Sequence, residues 1–598
     1  MGIFDMKVFR FLGFNKKPKA PWKKYYSEEA MECEIPDLNM YNYFKECSKT
    51  YDSLIAYSYY GKEATYYDFK LDIDIAANAF LNHGIRKGDV VTMLMPNTPE
   101  AMIGLLALNK IGAISNMVHP LSSTNEIKKT IIETKSVMLI SIDMDYVKIK
   151  DFINDTEVYK VIIVKANNSM PFLMKNLYKL TIGRKYELPN FKENNKFILW
   201  DKFVKYGLSY DGSKYVNDFG KNDPAVMLHS GGSTGTPKTV VLSNGNFIAL
   251  SKQSITVFAD IEKGDKCLSI MPVFHGFGLG VCIFTPFCLG AECIMLPTFK
   301  AQEFDKILTK HKPEFVIGVP TLFEALLKIP EKRKKKLDFS NLKYAISGGD
   351  SLKESLVRDV NALFKEKGSK VGLIQGYGMS ESLAAIALEK KWIPKKDGTI
   401  GIPFPGCYIG IFDSNDKEVP YGKEGEICVS GPNVMLGYYN NEKETNIALH
   451  IHKDGNVWLH SGDIGVMDSD GYITYKSRLK RLIISSGYNV YPSQVEELIE
   501  THPAVMLASA IGIPHPYKQE VVKVYVVLNK GYKKSGKLTD EFKDICKENL
   551  PKYAWPVEYE YRDSLPRTMI GKVDFKALQE ENNKMRQEEK NNEMGILV

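Results

Sequence analysis

The chain has 598 residues, 44% hydrophobic and 25% charged, the balance of a soluble globular protein and too long for one ordinary core. Its 79 Lys+Arg against 72 Asp+Glu leave a formal charge of +7, which suits anionic substrates and gives no argument for a nucleic-acid partner. Nine dispersed cysteines without a Cys-x-x-Cys pair read as free thiols in a reducing, cytoplasmic compartment, and the scattered histidines show no zinc spacing.

The N-terminal segment, residues 1–27, lacks the continuous apolar stretch and cleavage site of a signal peptide. Met6 stands where a myristoylation pattern wants Ser or Thr. Ile3, Phe4, Met6, Val8, Phe9, Phe11, Leu12 and Phe14, followed by five lysines, could form a short membrane-surface helix and so a peripheral membrane contact. A frayed terminus is the alternative.

Residues 66–118 read helix, strand, helix, strand, with turns at Gly84 and Gly112, which is the alternation of a parallel α/β sheet. Short apolar runs at 136–140, 161–164, 225–228, 267–271 and 315–319 extend it. Residues 167–221 are irregular and look like a surface insertion. Residues 267–291 carry no charge, and that length could span a bilayer. Pro272, Gly276, Gly278, Gly280, Pro286 and Gly290 interrupt it, so it reads instead as buried strand, turn and helix beside an apolar pocket. The run EKRKKK at 331–336 reads as a solvated helix end, and after Gly471 the texture shifts to short strands and amphipathic helices. The expected domains are therefore a large one at 28–479 and a small α+β one at 480–578, with a frayed or helical tail at 579–598.

The apolar run at 225–228 leads directly into HSGGSTGTPK at 229–238. Gly231, Gly232 and Gly235 let backbone N–H groups converge on an anion. Ser230, Ser233, Thr234 and Thr236 add hydroxyl donors, and Lys238 adds a point charge. A Walker A loop is excluded because Pro237 precedes Lys238. The dinucleotide pattern G-x-G-x-x-G fails at Val281 and at Glu381. What remains is a phosphate loop of another kind.

With the motifs that follow it in order, the chain resembles the adenylate-forming superfamily of acyl-CoA synthetases, peptide-synthetase adenylation domains and luciferases. SGGD at 347–350 is similar to its adenine-side turn, and QGYGMSES at 375–382 to its aromatic-Gly-x-Thr-Glu motif. LHSGDIG at 459–465, SRLKRLIISSGYNVYPSQVEE at 477–497 and LPRTMIGKVD at 565–574 are similar to its ribose, hinge and C-terminal lysine motifs. The resemblance implies an α/β fold, with a large N-terminal domain of layered sheets and a small mobile α+β C-terminal domain. It also implies a carboxylic acid substrate, with ATP, Mg²⁺ and CoA.

The implied reaction joins a carboxylate to ATP, giving acyl-adenylate and pyrophosphate, and then passes the acyl group to a thiol. Bringing anion against anion makes charge neutralisation the main demand. By resemblance Glu381 is the Mg²⁺ ligand, and Ser380 bonds the α-phosphate. Gly348, Gly349, Asp350, Gln375, Gly376, Tyr377 and Gly378 line the adenine side, with Tyr377 stacking on the base. Asp463 accepts from both ribose hydroxyls, and Arg478 donates to the ribose or phosphate. Lys572 bridges the carboxylate and the α-phosphate for adenylation. Lys480 is the hinge about which the small domain swings Gly487 toward a thiol tunnel. His275 matches a gate beside the acyl pocket.

The copy departs from the pattern at Gly231 (often Ser or Thr), Thr239 (usually Gly), Arg481 (often acidic) and His515 (often Asp), without losing a required charge. The uncharged stretch at 267–291 and the run VIGVPTLFEALL at 316–327 look like the pocket walls of fatty-acyl-CoA ligases. No acid in residues 316–323 greets an amino-acid ammonium. A stand-alone medium- or long-chain acyl-CoA synthetase is therefore expected. A carrier-loading acyl-AMP ligase, an aryl- or amino-acid adenylating enzyme, and a non-catalytic binding module are the alternatives.

Overall fold

The alternation read at 66–118 is present as helix Tyr66–Asn82, strand Val90–Leu94, helix Pro99–Lys110 and strand Ile114–Met117. The structure is a computed structural model, which describes residues 13–595 apart from 182, 193, 214, 216, 217, 231–237 and 569–571. Local chemistry sets these boundaries. Thr65 and Asp68 form a reciprocal capping box at the start of the first helix, and Thr98 caps the second with Pro99 in its first turn. Gly84 and Gly112, at φ +90° and +78°, end the two helices in a conformation that favours glycine. Every residue of Val90–Leu94 is buried, as expected of an interior parallel strand.

The described residues fall into two units. The first comprises those up to Gly410, with Cys428–Ser461 and Asp468–Ile473. The second comprises Ile411–Ile427, Gly462–Met467 and the residues from Thr474 onward.

The first unit holds two large sheets. One has eight strands in the order Gly437–Tyr438, Lys238–Ser243, Pro224–Ser230, Ile114–Met117, Val90–Leu94, Met138–Ile142, Lys160–Val164 and Phe197–Leu199. From Pro224–Ser230 to Phe197–Leu199 its pairings are parallel, and the first two strands add antiparallel edges. The other has nine strands, with a parallel centre of Leu373–Tyr377, Tyr344–Ser347, Phe315–Gly318, Lys266–Ser269, Glu292–Met295 and Ile55–Tyr59. All five apolar runs read as strands are strands of these sheets.

Residues 167–221 correct the reading of a surface insertion. Phe197–Leu199 joins the sheet edge, and Trp200 and Phe203 are buried behind it. Helix Lys205–Leu208 lies so close to Tyr66–Asn82 that a Cβ on Gly207 would fall 1.9 Å from the Ile75 carbonyl oxygen. The Phe172–Leu180 helix keeps a surface character, with no residue buried. The uncharged stretch is buried core, as expected, but its turn is a π-helix, Phe277–Phe284, running into helix Thr285–Leu289. No described helix is long and apolar enough to cross a membrane.

The second unit is an α+β assembly. Its sheet orders Tyr488–Val490, Ile483–Ser485, Gln519–Leu528 and Val505–His515, with Pro556–Tyr561 parallel to Gln519–Leu528. Val495, Ile499 and Phe542 of helices Pro492–Glu500 and Gly536–Asn549 pack against Ile483, Val522, Val524 and Val526 of this sheet. Residues 575–595 are helical, so the tail reading resolves to its helical form.

Candidate active site

In the first unit the candidate residues gather where parallel strands end. Gly318, Ser347 and Gln375 are register partners across three adjacent strands, so the SGGD and QGYG turns begin side by side. This is the carboxyl edge at which open α/β sheets bind ligands. The Gly348 N–H donates to the Gly318 carbonyl at 3.0 Å, and Gly349 takes φ +80°. A Cβ on Gly348 would approach the Gly376 carbonyl oxygen and the Phe277 ring at 3.3 Å each. Asp350 is exposed, while Gln375, Gly376 and Tyr377 are half-buried on their strand. Gly378 has no room for any side chain, because a Cβ would lie 1.9 Å from the Ala384 carbonyl oxygen.

Ser380 and Glu381 sit on a 3₁₀ turn, Ser380–Ser382, which lies against strands Pro224–Ser230 and Lys238–Ser243. Those strands flank the candidate phosphate loop. Its Gly231, Gly232, Ser233, Thr234 and Gly235 lie outside the described residues, but Ser230 and Lys238 are register partners at its two ends. The Lys238 ammonium is ion-paired with Glu444 and stands 4.7 Å from the Tyr438 ring centroid. The Tyr438 hydroxyl donates to Glu381 Oε1 at 2.9 Å. One tyrosine therefore links the loop's cation to the candidate metal ligand. Burial, and then the Glu381 carboxylate, push the Tyr438 hydroxyl far above its ordinary pKa, so it remains a donor.

His229 opens the loop and is held on both ring nitrogens. Its Nε2 lies 2.7 Å from Asn116 Oδ1, and its Nδ1 lies 3.2 Å from the Thr239 hydroxyl. Burial pushes its pKa down to about 4, so the ring is neutral at physiological pH, donating to Asn116 and accepting from Thr239. Thr239, read from the sequence as a lost glycine, thus gains a partner. His275 is half-buried, and its Nδ1 accepts the Phe277 N–H at 3.2 Å. The adjoining Gly276 has Leu228 and Ala384 within 3.6 Å of where its Cβ would be, so the gate position borders the same constellation.

The second unit carries the other candidates. Asp463 is 2% exposed, and the Arg478 guanidinium Nε stands 3.0 Å from its Oδ1. A carboxylate this deeply buried needs such a partner. Arg478, expected to reach ribose or phosphate, is here engaged with Asp463. Lys480 lies in the 3₁₀ turn Leu479–Arg481. The neighbouring Arg481 pairs with Glu496 and stacks over Phe575 at 5.0 Å. Ser486 and Gly487, at φ +55° and +80°, form a two-residue hairpin turn between Ile483–Ser485 and Tyr488–Val490, and Gly487 faces open space. Lys572 adjoins an antiparallel bridge between Arg567 and Val573, and the Thr568 N–H donates to the Lys572 carbonyl at 2.8 Å. Burial and then Lys480 hold the nearby Lys576 ammonium below its ordinary range.

Four residues that touch the first-unit site were not singled out for it by the sequence reading: Tyr438, Glu444, Asn116 and, as a participant, Thr239. Tyr438 is 57 residues from Glu381, Glu444 is 206 from Lys238, and Asn116 is 113 from His229. No local spacing could have signalled such partners.

The fold is a layered α/β one with the candidate residues at strand ends, and comparison with known proteins gives the family. Residues 44–439 match the AMP-binding enzyme family, and residues 494–572 match the AMP-binding enzyme C-terminal domain. A long-chain-fatty-acid–CoA ligase of Bacillus subtilis (strain 168) is 32% identical over 94% of this chain and 98% of its own length. One of Haemophilus influenzae is 30% identical over 83% and 86%. The fold is also that of ATP-bound MatB from Rhodopseudomonas palustris, with a TM-score of 0.76 at 23% identity, covering 91% of this chain and 99% of that one. The chain belongs to the AMP-binding enzyme family, and it is a ligase.

Proposed function

We propose that this enzyme activates a medium- or long-chain fatty acid with ATP and transfers it to CoA. In the first step a carboxylate oxygen attacks the α-phosphorus, a P–O bond to pyrophosphate breaks, and acyl-AMP forms. In the second step the CoA thiol attacks the acyl carbon, a proton leaves the sulfur, and AMP departs. The observation that carries this reading is similarity along nearly the whole chain to ligases named for long-chain fatty acids and CoA. The uncharged run at 267–291, which resembles the pocket walls of fatty-acyl-CoA ligases, supports it, since an aliphatic chain needs an apolar lining worth about 0.8 kcal/mol per CH₂.

Within that reading Lys238 and Ser230 receive phosphate oxygens at the loop ends, and Ser380 bonds the α-phosphate. The residues present fit Mg²⁺: Glu381 and Glu444 flank Tyr438, and a hard cation takes one or two carboxylates together with phosphate oxygens. Mg²⁺ would supply neutralisation of the triphosphate. Asp463 and Arg478 take the ribose, Lys572 the reacting carboxylate and α-phosphate, and Lys480 serves as hinge between domains at 28–479 and 480–578. All nine cysteines are free, which supports a reducing, cytoplasmic setting. The apolar run Ile3–Phe14, of which only residues 13 and 14 are among those described, adds a peripheral membrane contact to the proposal.

The test is pyrophosphate release over a panel of fatty, aryl and amino acids with Mg²⁺, with and without CoA. Fatty acids should lead, and CoA should yield the thioester. Release led by aryl or amino acids, or acyl transfer to a carrier protein but not to CoA, would overturn the substrate assignment. No release with any acid in folded protein would overturn the enzyme reading itself.

A further inference from the structure

Away from the phosphate loop, the hairpin LHIHKDGNVWLH gathers three of the chain's ten histidines within eleven residues. His450 pairs with Trp458 across the antiparallel strands Leu449–Ile451 and Val457–Met467. Because side chains alternate along a strand and cross-strand partners share a face, the positions of His450, His452, Trp458 and His460 fall on one face. Each of the three histidines offers a ring nitrogen within 4.8 Å of the others. His452 Nε2 and His460 Nε2 are 3.0 Å apart, and the His450 and His460 ring centroids 4.1 Å. His452 is 6% exposed and stacks on Trp458 at 5.6 Å, with 22° between the ring planes.

We propose that His450, His452 and His460 bind one divalent transition-metal ion, with Zn²⁺ the ion their chemistry suits best. Zinc takes neutral imidazole nitrogens at about 2.0–2.1 Å, which in a tetrahedral site sets ligands roughly 3.3 Å apart. The 3.0 Å pair is already at that spacing, so only His450 must close in. Cys428 Sγ lies 3.5 Å from His460 Nδ1, so the sulfur can accept from that nitrogen and leave Nε2 turned toward His452. Cys428 is thus a positioning residue. Trp458 packs beside the site and gives it a built-in optical reporter.

The experiment uses the full chain without a polyhistidine tag, stripped with chelator and shown folded by circular dichroism. Co²⁺ and Zn²⁺ are titrated by absorbance and calorimetry, and Cu²⁺ by tryptophan fluorescence. The expected result is one Co²⁺ per chain with the intense visible bands of a four- or five-coordinate site, displaced by Zn²⁺, and fluorescence quenched by Cu²⁺. His450→Gln and His460→Gln, at half-buried positions, should abolish stoichiometric binding, and His515→Gln should not. Cys428→Ser should weaken binding by about tenfold. Trp458→Phe should keep the stoichiometry and lose most of the quenching. Absence of one-to-one binding in the folded chain, or binding unchanged in His450→Gln and His460→Gln, overturns the proposal.

Discussion

Replacing Tyr438 with Phe removes one hydroxyl and leaves the ring under Lys238. In the structure that hydroxyl donates at 2.9 Å to Glu381 Oε1 from a tyrosine only 5% exposed. A hydrogen bond to a charged acceptor is worth about 1.5–3 kcal/mol. If all of it orients the carboxylate proposed to hold Mg²⁺, losing it costs roughly 10- to 150-fold in rate or in Mg²⁺ affinity. Because Glu381 is half-exposed, water can replace part of the bond, which places the expected loss near the lower end. The assay is pyrophosphate release at saturating ATP and acid, with Mg²⁺ varied. Tyr438→Phe should need more Mg²⁺ and reach a lower maximum, while Glu381→Gln should fall further. A Tyr438→Phe enzyme within twofold of wild type at every Mg²⁺ concentration would refute the claim that this tyrosine positions Glu381.

Three further outcomes follow from the same geometry. Gly378→Ala places a methyl 1.9 Å from the Ala384 carbonyl oxygen, so thermal unfolding should show a loss of about 1–3 kcal/mol and adenylate formation should drop with it. His229 has a folded pKa of about 4 against an ordinary 6.5. The unfolded chain therefore binds the extra proton first, and stability present above pH 6.5 is lost as pH falls toward 4. Between pH 7 and 5 this amounts to about 2 kcal/mol, and denaturant titrations of His229→Gln should show a correspondingly flatter pH dependence. Lys572→Ala should abolish adenylate formation while sparing thioester formation from supplied acyl-adenylate, and an equal loss in both half-reactions would refute its assigned step.

Much of the fold was legible because its signals are local. The breaks at Gly84 and Gly112, and largely apolar strands such as Val90–Leu94, are each visible within a few residues. The strand Phe197–Leu199 escaped because three residues carry no periodicity, and its burial comes from a sheet edge supplied by other parts of the chain. The π-helical turn at Phe277–Phe284 escaped because glycines that interrupt a helical pattern look the same whether the backbone breaks or widens.

The same division runs through the site. Glycine and charge within one motif, as at Gly378 or Lys238, are readable because the constraint is the motif's own. The interactions that set the state of those groups are not, because they arrive from elsewhere. Glu444 neutralises Lys238, Tyr438 ties Glu381, and Asn116 and Thr239 hold the His229 ring that burial keeps neutral. Thr239 shows how this changes a conclusion. Taken alone, a threonine in place of glycine weakens a phosphate loop by removing backbone freedom. In the structure its strand position, Thr239 opposite His229, needs no such freedom, and its hydroxyl satisfies a buried ring nitrogen that glycine would leave without that partner. The departure therefore adds a side-chain hydrogen bond at the base of the loop and does not only remove backbone freedom.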